Sequence, residues 1–267
     1  MTEMTPNAGL DANSSIPLAD ELGTPLSTFY PKWAFSNTWH REALLICAAF
    51  VAMLIWDASG LDLWISSQIA GVHAVQGFPL RHAWLTEAFL HRDGKIFYGV
   101  VILLLTYNFF FPFTSVLKRD QPGQIWWFIT MLLCIAAISI LKYLSKSSCP
   151  WELLNFGGTA QHISHWNFAL SDGGPGRCFP SGHVSGAFAL LAISFAVRPV
   201  SAKLANQVLI AVLVIGAILG AGQVLRGAHF VSHVTYSAWI CWLICFISAQ
   251  LRGKLNPPTA PKLLSAD

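Results

Sequence analysis

Charged residues are scarce in this chain of 267 residues: only 11% are Asp, Glu, Lys or Arg, while 54% are hydrophobic. Soluble domains carry about 25% charged residues, so this composition excludes an ordinary soluble domain and indicates a membrane protein. The net charge of +3 includes no run of Lys or Arg, so no nucleic-acid partner is expected. The chain also lacks internal repeats and the early apolar core of a signal peptide, so the first spanning helix is expected to act as the insertion signal.

Long apolar runs predict an all-α, polytopic membrane protein. A spanning helix needs about 17–25 mostly apolar residues, and six segments come near this length. The six predicted transmembrane helices are Ala43–Trp56, Ile96–Leu117, Ile125–Leu141, Val184–Val197, Val208–Leu225 and Val234–Leu251. Between the first two, the moderately hydrophobic stretch Ser59–Gly94 is predicted to form one or two interfacial helices.

The last two apolar runs are almost continuous. Read as one helix, Val208–Leu251 would have 44 residues and a length of about 66 Å, far more than a hydrocarbon core of about 30 Å. The chain is therefore predicted to break near Gly227–Phe230. Three parts result: a polar segment at residues 1–40, a six-helix membrane domain at 41–251 and a short tail at 252–267.

Positive charge predicts the orientation of these helices. Lysines and arginines prefer the cytoplasmic side of a membrane, so the connections and the tail that carry them, and both termini, are expected in the cytoplasm. The residues concerned are Lys118, Arg119, Arg198, Lys203, Arg252, Lys254 and Lys262. The remaining polar segments then all emerge on the outer face, periplasmic or exterior: Ser59–Lys95, Lys142–His183 and Arg226–His233.

Three clusters on that face combine cations with imidazoles near helix ends. Their members are Lys142; Arg177, Ser181 and His183 in "GRCFPSGHVSG"; and Arg226, His229 and His233 in "GQVLRGAHFVSH". Helix N-termini offer unpaired N–H groups and partial positive charge, which favour anions. The arrangement suits a phosphate with a nucleophile beside it. His91 and Asp93, near the second helix, are expected to be solvated loop residues.

The cysteines divide between helices and the outer segment. Only Cys149 and Cys178 fall in the outer segment, whereas the other four lie in apolar helices, where a thiol behaves as a small hydrophobic group. An oxidising compartment favours disulfides. A bridge between Cys149 and Cys178 is therefore predicted, beside the second cluster.

These residues resemble the type 2 phosphatidic acid phosphatase (PAP2) superfamily, whose motifs are KxxxxxxRP, PSGH and SRxxxxxHxxxD in that order. Lys142 stands seven residues before Cys149-Pro150, the second motif is complete at Pro180–His183, and His229 falls on the histidine of the third. The resemblance spans Lys142 to His233 and matches seven of the eleven signature positions.

Four positions depart from the family motifs. Cys149 replaces an arginine, Gly222-Gln223 replaces Ser-Arg, and His233 replaces an aspartate. The CPW and GAHFxSH variants are similar to those of a bacterial membrane-associated subgroup, which implies the inner (plasma) membrane. Arg226 lies three residues after Gln223, on the same helix face, and is expected to supply the missing guanidinium.

The resemblance implies hydrolysis of a lipid phosphate or lipid pyrophosphate from the bilayer, without metal or cofactor. His229 would attack phosphorus to give a phosphohistidine, His183 would protonate the leaving oxygen, and His233 would accept the Nδ1–H of His229. The phosphoryl oxygens would be bound by Lys142, Arg177, Ser181, Gly182 and Arg226. The resemblance does not imply an oligomeric state.

Three other interpretations remain open from the sequence. His229 and His233 have the i, i+4 spacing of a zinc pair, and His162 and His165 lie in the same outer segment, but no HExxH glutamate is present. Ionisable residues beside membrane helices also occur in small transporters. The departures from the motifs equally fit a catalytically weak or inactive lipid-binding relative.

Overall fold

The structure is a computed structural model that describes residues 33–71, 77–111, 121–167, 169–199 and 201–255. Within these ranges the chain is helical and has no β-strand, only an isolated bridge between Leu153 and Ala160, so the all-α prediction is confirmed. The α-helices are α1 (Trp33–Ser59), α2 (Leu61–Ala70), α3 (Gly94–Phe110), α4 (Gln121–Leu144), α5 (Ser185–Ala189), α6 (Leu191–Val197), α7 (Ala202–Leu225) and α8 (Val231–Leu255). A π-helix, Leu85–Asp93, leads directly into α3, and two 3₁₀ turns occupy Pro150–Glu152 and Leu154–Phe156.

In the described ranges, four helices are long and apolar enough to cross a membrane. These stretches of α1, α4, α7 and α8 are Trp39–Ser59, Pro122–Leu144, Ala202–Leu225 and Val231–Gly253. They contain four of the six predicted spans, and they fit a membrane protein. Six spans are not confirmed, because α3 has 17 residues and the predicted fourth span is divided into the short helices α5 and α6. Of the second predicted span, the part after Phe111 lies outside the described residues.

The divided helix α5–α6 lies inside the bundle. Every residue of Ser185–Ala189 is buried, as expected for a segment surrounded by protein on all sides. A Cβ on Gly186 would stand 2.5 Å from the ring of Tyr98, so only glycine fits there. Side chains of α4, α7 and α8 surround these two short helices and complete the main hydrophobic core.

The predicted break between the last two helices is confirmed. Helix α7 ends at Leu225, α8 begins at Val231, and Gly227 between them has φ +70°, a left-handed conformation that favours glycine. The ring of Phe78 would lie 2.1 Å from a Cβ on Gly227. The turn therefore needs a glycine for both its backbone angle and its space.

The helix ends gather as the parity of the spans predicts. At one end, both guanidinium nitrogens of Arg198 bind the Glu42 carboxylate at 2.7 and 3.1 Å, and Trp242 Nε1 donates to the same carboxylate. At the opposite end, called the site end below, the three polar segments come together. Within Ser59–Gly94 the chain forms α2 and the π-helix, whose depth in a bilayer stays a prediction.

Asp62 of α2 fixes the N-terminus of α8 at the site end. Its Oδ1 accepts hydrogen bonds from the backbone N–H of Ser232 at 3.1 Å and from Trp56 Nε1 at 3.0 Å. Burial alone would raise the pKa of Asp62, but the nearby ring of His165 and the hydrogen bonds from Ser232 and Trp56 outweigh it and lower the pKa below 3.8. The carboxylate thus ties the α1–α2 pair to the first turn of α8.

We expect Asp62→Asn to destabilise the protein, because one charge-assisted bond to the helix terminus is worth about 1.5–3 kcal/mol. Thermal unfolding in detergent should show a midpoint several degrees lower. The folded pKa is depressed, so the contribution of Asp62 is complete above pH 3.8 and is lost as the pH falls further. The difference in unfolding midpoint between wild type and Asp62→Asn should stay constant from pH 5 to 8 and should disappear in acid. Asp93→Asn, which changes a half-exposed carboxylate, is the control; an equal loss in both variants would contradict the assignment.

Candidate active site

Two histidines from different motifs face each other at the site end. His183 Nδ1 lies 3.1 Å from His229 Nε2, a hydrogen bond between the two ring edges. His229 precedes α8 and is 1% exposed, while His183 precedes α5 and is half-buried. The second and third motifs therefore meet through their histidines, as the sequence predicted, with His183 on the more open side.

The other edge of the His229 ring faces His233 and a disulfide. His229 Nδ1 lies 3.3 Å from His233 Nδ1 and 3.4 Å from Cys178 Sγ. Cys178 is bonded to Cys149, which confirms the predicted bridge. His233 is fully buried, and within the part of the chain that the structure describes its Nε2 has no hydrogen-bond partner. The position where the family motif has an aspartate thus holds a ring nitrogen directed at His229.

The environment of His229 keeps its imidazole neutral. Burial of the ring, followed by the positive charge of Lys142, lowers the pKa of His229 to about 3. A neutral imidazole with Nδ1–H directed at His233 leaves an unshared electron pair on Nε2. That pair is the one a nucleophile needs, and it lies on the side of His183 and the open end of the molecule.

Lys142 and Gly182 form one side of the site. Lys142 Nζ donates to the backbone carbonyl of Arg177 at 2.5 Å, and its Cδ would lie 3.1 Å from a Cβ on Gly182. The absence of a side chain at Gly182 therefore leaves room for the lysine. The Arg177 guanidinium is placed differently: the residue is exposed, and its guanidinium packs over the ring of Tyr143, 4.6 Å from the ring centre. The structure holds Arg177 at the rim and does not bring its guanidinium to the histidine pair.

Several buried polar atoms of the predicted site have no hydrogen-bond partner among the described residues. They are Ser181 Oγ, Arg226 Nε and Nη1, and His233 Nε2. Buried polar groups are almost always hydrogen-bonded, so unpartnered donors need a physical reason. Arg226 is 6% exposed, and its remaining nitrogen, Nη2, lies 3.8 Å from Glu87 Oε1. Burial lowers the pKa of Arg226, and the Glu87 carboxylate acts in the opposite direction.

The end of α7 binds the π-helix. Gln223 Oε1 lies 3.3 Å from His91 Nδ1, and Arg226 contacts Glu87 one turn away on the same π-helix. Gly222 permits this approach, since a Cβ there would stand 2.8 Å from Leu90 Cδ1. His91 in turn packs on His183, with 4.4 Å between the ring centres. The expectation that His91 is a solvated loop residue is therefore wrong, because Gln223 and His183 hold its ring at the site.

A groove of about 530 Å³ lies beside these residues. It is lined by His82, Trp84, Glu87, Ala88, His91 and Arg92. His91 also borders a smaller recess formed with His183, Gln223, Tyr98, Leu90 and Leu219. His91 thus stands between the groove and the histidine pair.

Comparison with known proteins identifies the chain. The family model of the PAP2 superfamily matches residues 123–257, about half of the sequence, including all three motifs. The chain belongs to the PAP2 superfamily. Membership implies a phosphatase-type hydrolase and supports activity on lipid-type phosphates. Searches of curated proteins and of solved structures gave no match.

Each departure from the PAP2 motifs has a structural counterpart. Cys149, in the place of an arginine, forms the disulfide to Cys178. Gly222 and Gln223, in the place of Ser-Arg, make room for Leu90 and bind His91. His233, in the place of aspartate, faces His229 Nδ1. The substituted residues are thus integrated with their neighbours.

Sequence reasoning missed a buried carboxylate group behind the histidines of this PAP2 protein. His165 Nε2 lies 3.0 Å from Ser232 Oγ, 3.6 Å from Asp57 Oδ1 and 4.0 Å from Asp62 Oδ2. The His165 ring also packs against His233, with 4.7 Å between ring centres. Asp57 and Asp62 flank the end of an apolar run, where buried carboxylates are rare, and that is the signal that marks them in the sequence.

The geometry changes which residues could form the zinc site that the sequence left open. His162 packs edge-on against Phe230, and both nitrogens of His165 lie near serine hydroxyls, on Ser147 and Ser232. Among the described residues, the one group with metal-ligand spacing is Cys178, His229 and His233. The sulfur of Cys178 belongs to a disulfide and carries no thiolate charge.

We expect Arg226→Lys to impair phosphate release nearly as much as Arg226→Ala. The unpartnered Nε and Nη1 form a planar fork that suits two phosphoryl oxygens, and lysine has no such fork. Steady-state kinetics on a lipid phosphate should show at least a ~10-fold loss of kcat/KM in both variants. Arg198→Lys is the matched control, since it removes a guanidinium fork from the opposite end of the bundle. Full activity of both Arg226 variants would show that this arginine does not bind substrate.

The pH dependence of activity should respond to charge at position 233. A carboxylate within 4–6 Å of an imidazole raises its pKa by about 1–3 units, so His233→Asp should raise the low pKa of His229. The acid limb of kcat/KM should then move to higher pH. His233→Asn supplies an uncharged acceptor and should leave the limb near its wild-type position. Superimposable pH–rate profiles for the two variants would refute the contact between His233 and the reacting imidazole.

Proposed function

We propose that this protein hydrolyses a lipid phosphate or lipid pyrophosphate through a phosphohistidine on His229, with His183 as general acid and without a metal ion. The observation that carries the proposal is the pairing of His183 Nδ1 with His229 Nε2 at 3.1 Å, beside Lys142 and unpartnered buried donors. A nucleophile and an acid in contact, next to cationic side chains and buried N–H and O–H donors, match the needs of phosphoryl transfer.

The first step uses the two nitrogens that face each other. The Nε2 electron pair of His229 attacks phosphorus, while the bond from phosphorus to the leaving oxygen breaks. His183, as the imidazolium, donates its Nδ1 proton to that oxygen and becomes neutral, and the lipid leaves as a neutral alcohol or as a lipid phosphate monoanion. Because the two nitrogens are in contact without substrate, the phosphoryl group has to enter between them and separate the rings.

The second step returns the enzyme to its starting state. The oxygen of a water molecule attacks phosphorus, neutral His183 takes up a proton from that water, and the P–N bond breaks, which restores His229 and releases inorganic phosphate. His233 Nδ1 accepts the Nδ1–H of His229 throughout, which keeps the ring in the tautomer that attacks. The neutral state of His229, whose pKa is about 3, supports a nucleophile that needs no prior deprotonation near neutral pH.

The phosphoryl oxygens are held by cationic and hydroxyl donors. Lys142, Ser181, the Gly182 N–H and Arg226 supply these donors, and charge on the phosphoryl oxygens grows in the transition state, where such donors act most strongly. The Arg177 guanidinium packs over Tyr143 at the rim of the site, so it attracts the phosphate as the substrate enters. The π-helix groove beside His91 provides the space for the rest of the head group.

The substrate reaches this site from the bilayer. The outward faces of the apolar helices and the position of the site at one end of the bundle support a head group at the interface with acyl or prenyl chains between helices. The Cys149–Cys178 disulfide supports a periplasmic or exterior location of the site end, with both termini in the cytoplasm. The protein then acts in the inner (plasma) membrane of a bacterium.

Removal of either reacting imidazole should abolish turnover. His229→Ala and His183→Ala are each expected to lose at least ~100-fold in kcat in detergent-purified protein. His40→Ala, an exposed histidine on α1, is the control. A ³²P-labelled substrate should leave acid-labile, base-stable label on the wild-type chain and none on His229→Ala. Wild-type activity of His229→Ala would contradict the mechanism.

Chelator and vanadate separate the proposed reaction from the alternatives. Phosphate release should persist with a chelator and stop with vanadate, which mimics the transferred phosphoryl group. Chelator-sensitive release would instead support a metal enzyme, and no release from any lipid would support a transporter or an inactive relative. A panel of phosphatidic acid, phosphatidylglycerophosphate, a polyprenyl pyrophosphate and lipid A identifies the substrate.

A further inference from the structure

The side of His229 that faces away from His183 carries three potential metal ligands. Cys178 Sγ and ring nitrogens of His229 and His233 all lie within 4.8 Å of one another, and each residue is at most 1% exposed. The measured edges are 3.3 Å between His229 Nδ1 and His233 Nδ1, and 3.4 Å between His229 Nδ1 and Cys178 Sγ. Sulfur and imidazole nitrogen are the ligands that zinc prefers in proteins.

These distances resemble one face of a zinc tetrahedron. Zn–N bonds of about 2.0–2.1 Å and Zn–S bonds of about 2.3 Å place neighbouring ligands about 3.3 Å apart for N–N and about 3.6 Å apart for N–S. The two measured edges agree with those values to within about 0.2 Å. These two edges therefore already have the lengths that a metal ion needs, and the third edge, between His233 and Cys178, lies within 4.8 Å.

The disulfide prevents the Cys178 sulfur from binding a metal ion. A cysteine binds zinc as a thiolate, and the sulfur of Cys178 is instead bonded to Cys149. We propose that reduction of the Cys149–Cys178 disulfide creates a zinc site from Cys178, His229 and His233, and that zinc bound there inactivates the protein. The reductant is a dithiol: it becomes a cyclic disulfide, and its two hydrogens form the Cys149 and Cys178 thiols. Zinc then displaces the proton of the Cys178 thiol to solvent.

Inactivation follows from the tautomer of His229, and this part rests on the proposed function. A metal on Nδ1 takes that electron pair, so the one ring proton of neutral His229 has to lie on Nε2. Nε2 is the atom that faces His183 Nδ1 at 3.1 Å, and its N–H then donates to His183. Such a bond from the outer nitrogen is typical of metal-bound histidines. The electron pair that attacks phosphorus is no longer available.

Two single substitutions test the site. Both remove the disulfide, but only one of them retains the Cys178 sulfur as a metal ligand. Cys149→Ser frees the Cys178 thiol, whereas Cys178→Ser removes it. With Co²⁺ as a spectroscopic probe, Cys149→Ser should bind about one ion per chain and show a thiolate-to-cobalt absorption band in the near ultraviolet. Cys178→Ser and oxidised wild type should show no such band. Absence of the band in Cys149→Ser, or its presence in Cys178→Ser, would overturn the proposal.

Reduced wild type provides a second sample that needs no substitution. After treatment with dithiothreitol and desalting without oxygen, it should bind Co²⁺ as Cys149→Ser does, and failure to bind would contradict the site. Zn²⁺ should inhibit phosphate release by Cys149→Ser at concentrations at least ~10-fold lower than for Cys178→Ser, with recovery on addition of chelator. Equal inhibition of the two variants would refute the inactivation step. The cobalt spectrum does not depend on turnover, so it tests the metal site even if the proposed reaction is wrong.

Discussion

The turn at Gly227 is the constraint on which the site end depends. Its left-handed backbone and the ring of Phe78 against its Cα allow the chain to reverse within five residues, from the end of α7 to the start of α8. The Gly227 carbonyl also accepts the backbone N–H of Trp151, so the same turn anchors the loop that follows α4. Without this reversal, His229 would lie along one long helix and could not meet His183. Close packing at a single glycine thus unites two motifs that are far apart in the sequence.

Burial and positive charge act together on the residues that this turn brings in. A buried imidazole beside Lys142 stays neutral, and the same surroundings leave the donors of Arg226 and Ser181 without acceptors. Both effects cost free energy, since they isolate polar groups from water. Both favour an anion, which supplies acceptors and offsets the charge.

Much of the fold was predictable because its signals are local. Apolar runs located α1, α4, α7 and α8, and the excess length of Val208–Leu251 located the break between the last two. The division of α5–α6 was not predictable, since a buried helix and a spanning helix have the same apolar composition and differ only in what surrounds them. The meeting of His183 and His229, 46 residues apart, was predicted from the parity of the spans and from the resemblance to the PAP2 motifs.

The contacts of His91, Asp57 and Asp62 were missed for a different reason. They depend on which helices pack against each other, and no periodicity encodes that. The exposed placement of Arg177 has the same origin, because the rotamer of a long side chain is set by neighbours such as Tyr143.

The contacts between the end of α7 and the π-helix constrain the length of the π-helix. Gln223 on α7 and Arg226, the residue directly after α7, are about one turn apart, and their partners His91 and Glu87 are one turn apart on the wider π-helix. Each residue of a helix turns the chain by roughly 100° or somewhat less, so deletion of one residue between 87 and 91 would point one partner away from α7. Such a deletion would therefore break one of the two contacts although none of the four contacting residues had been changed. In this protein the number of residues before α3 constrains the site as firmly as their identity does.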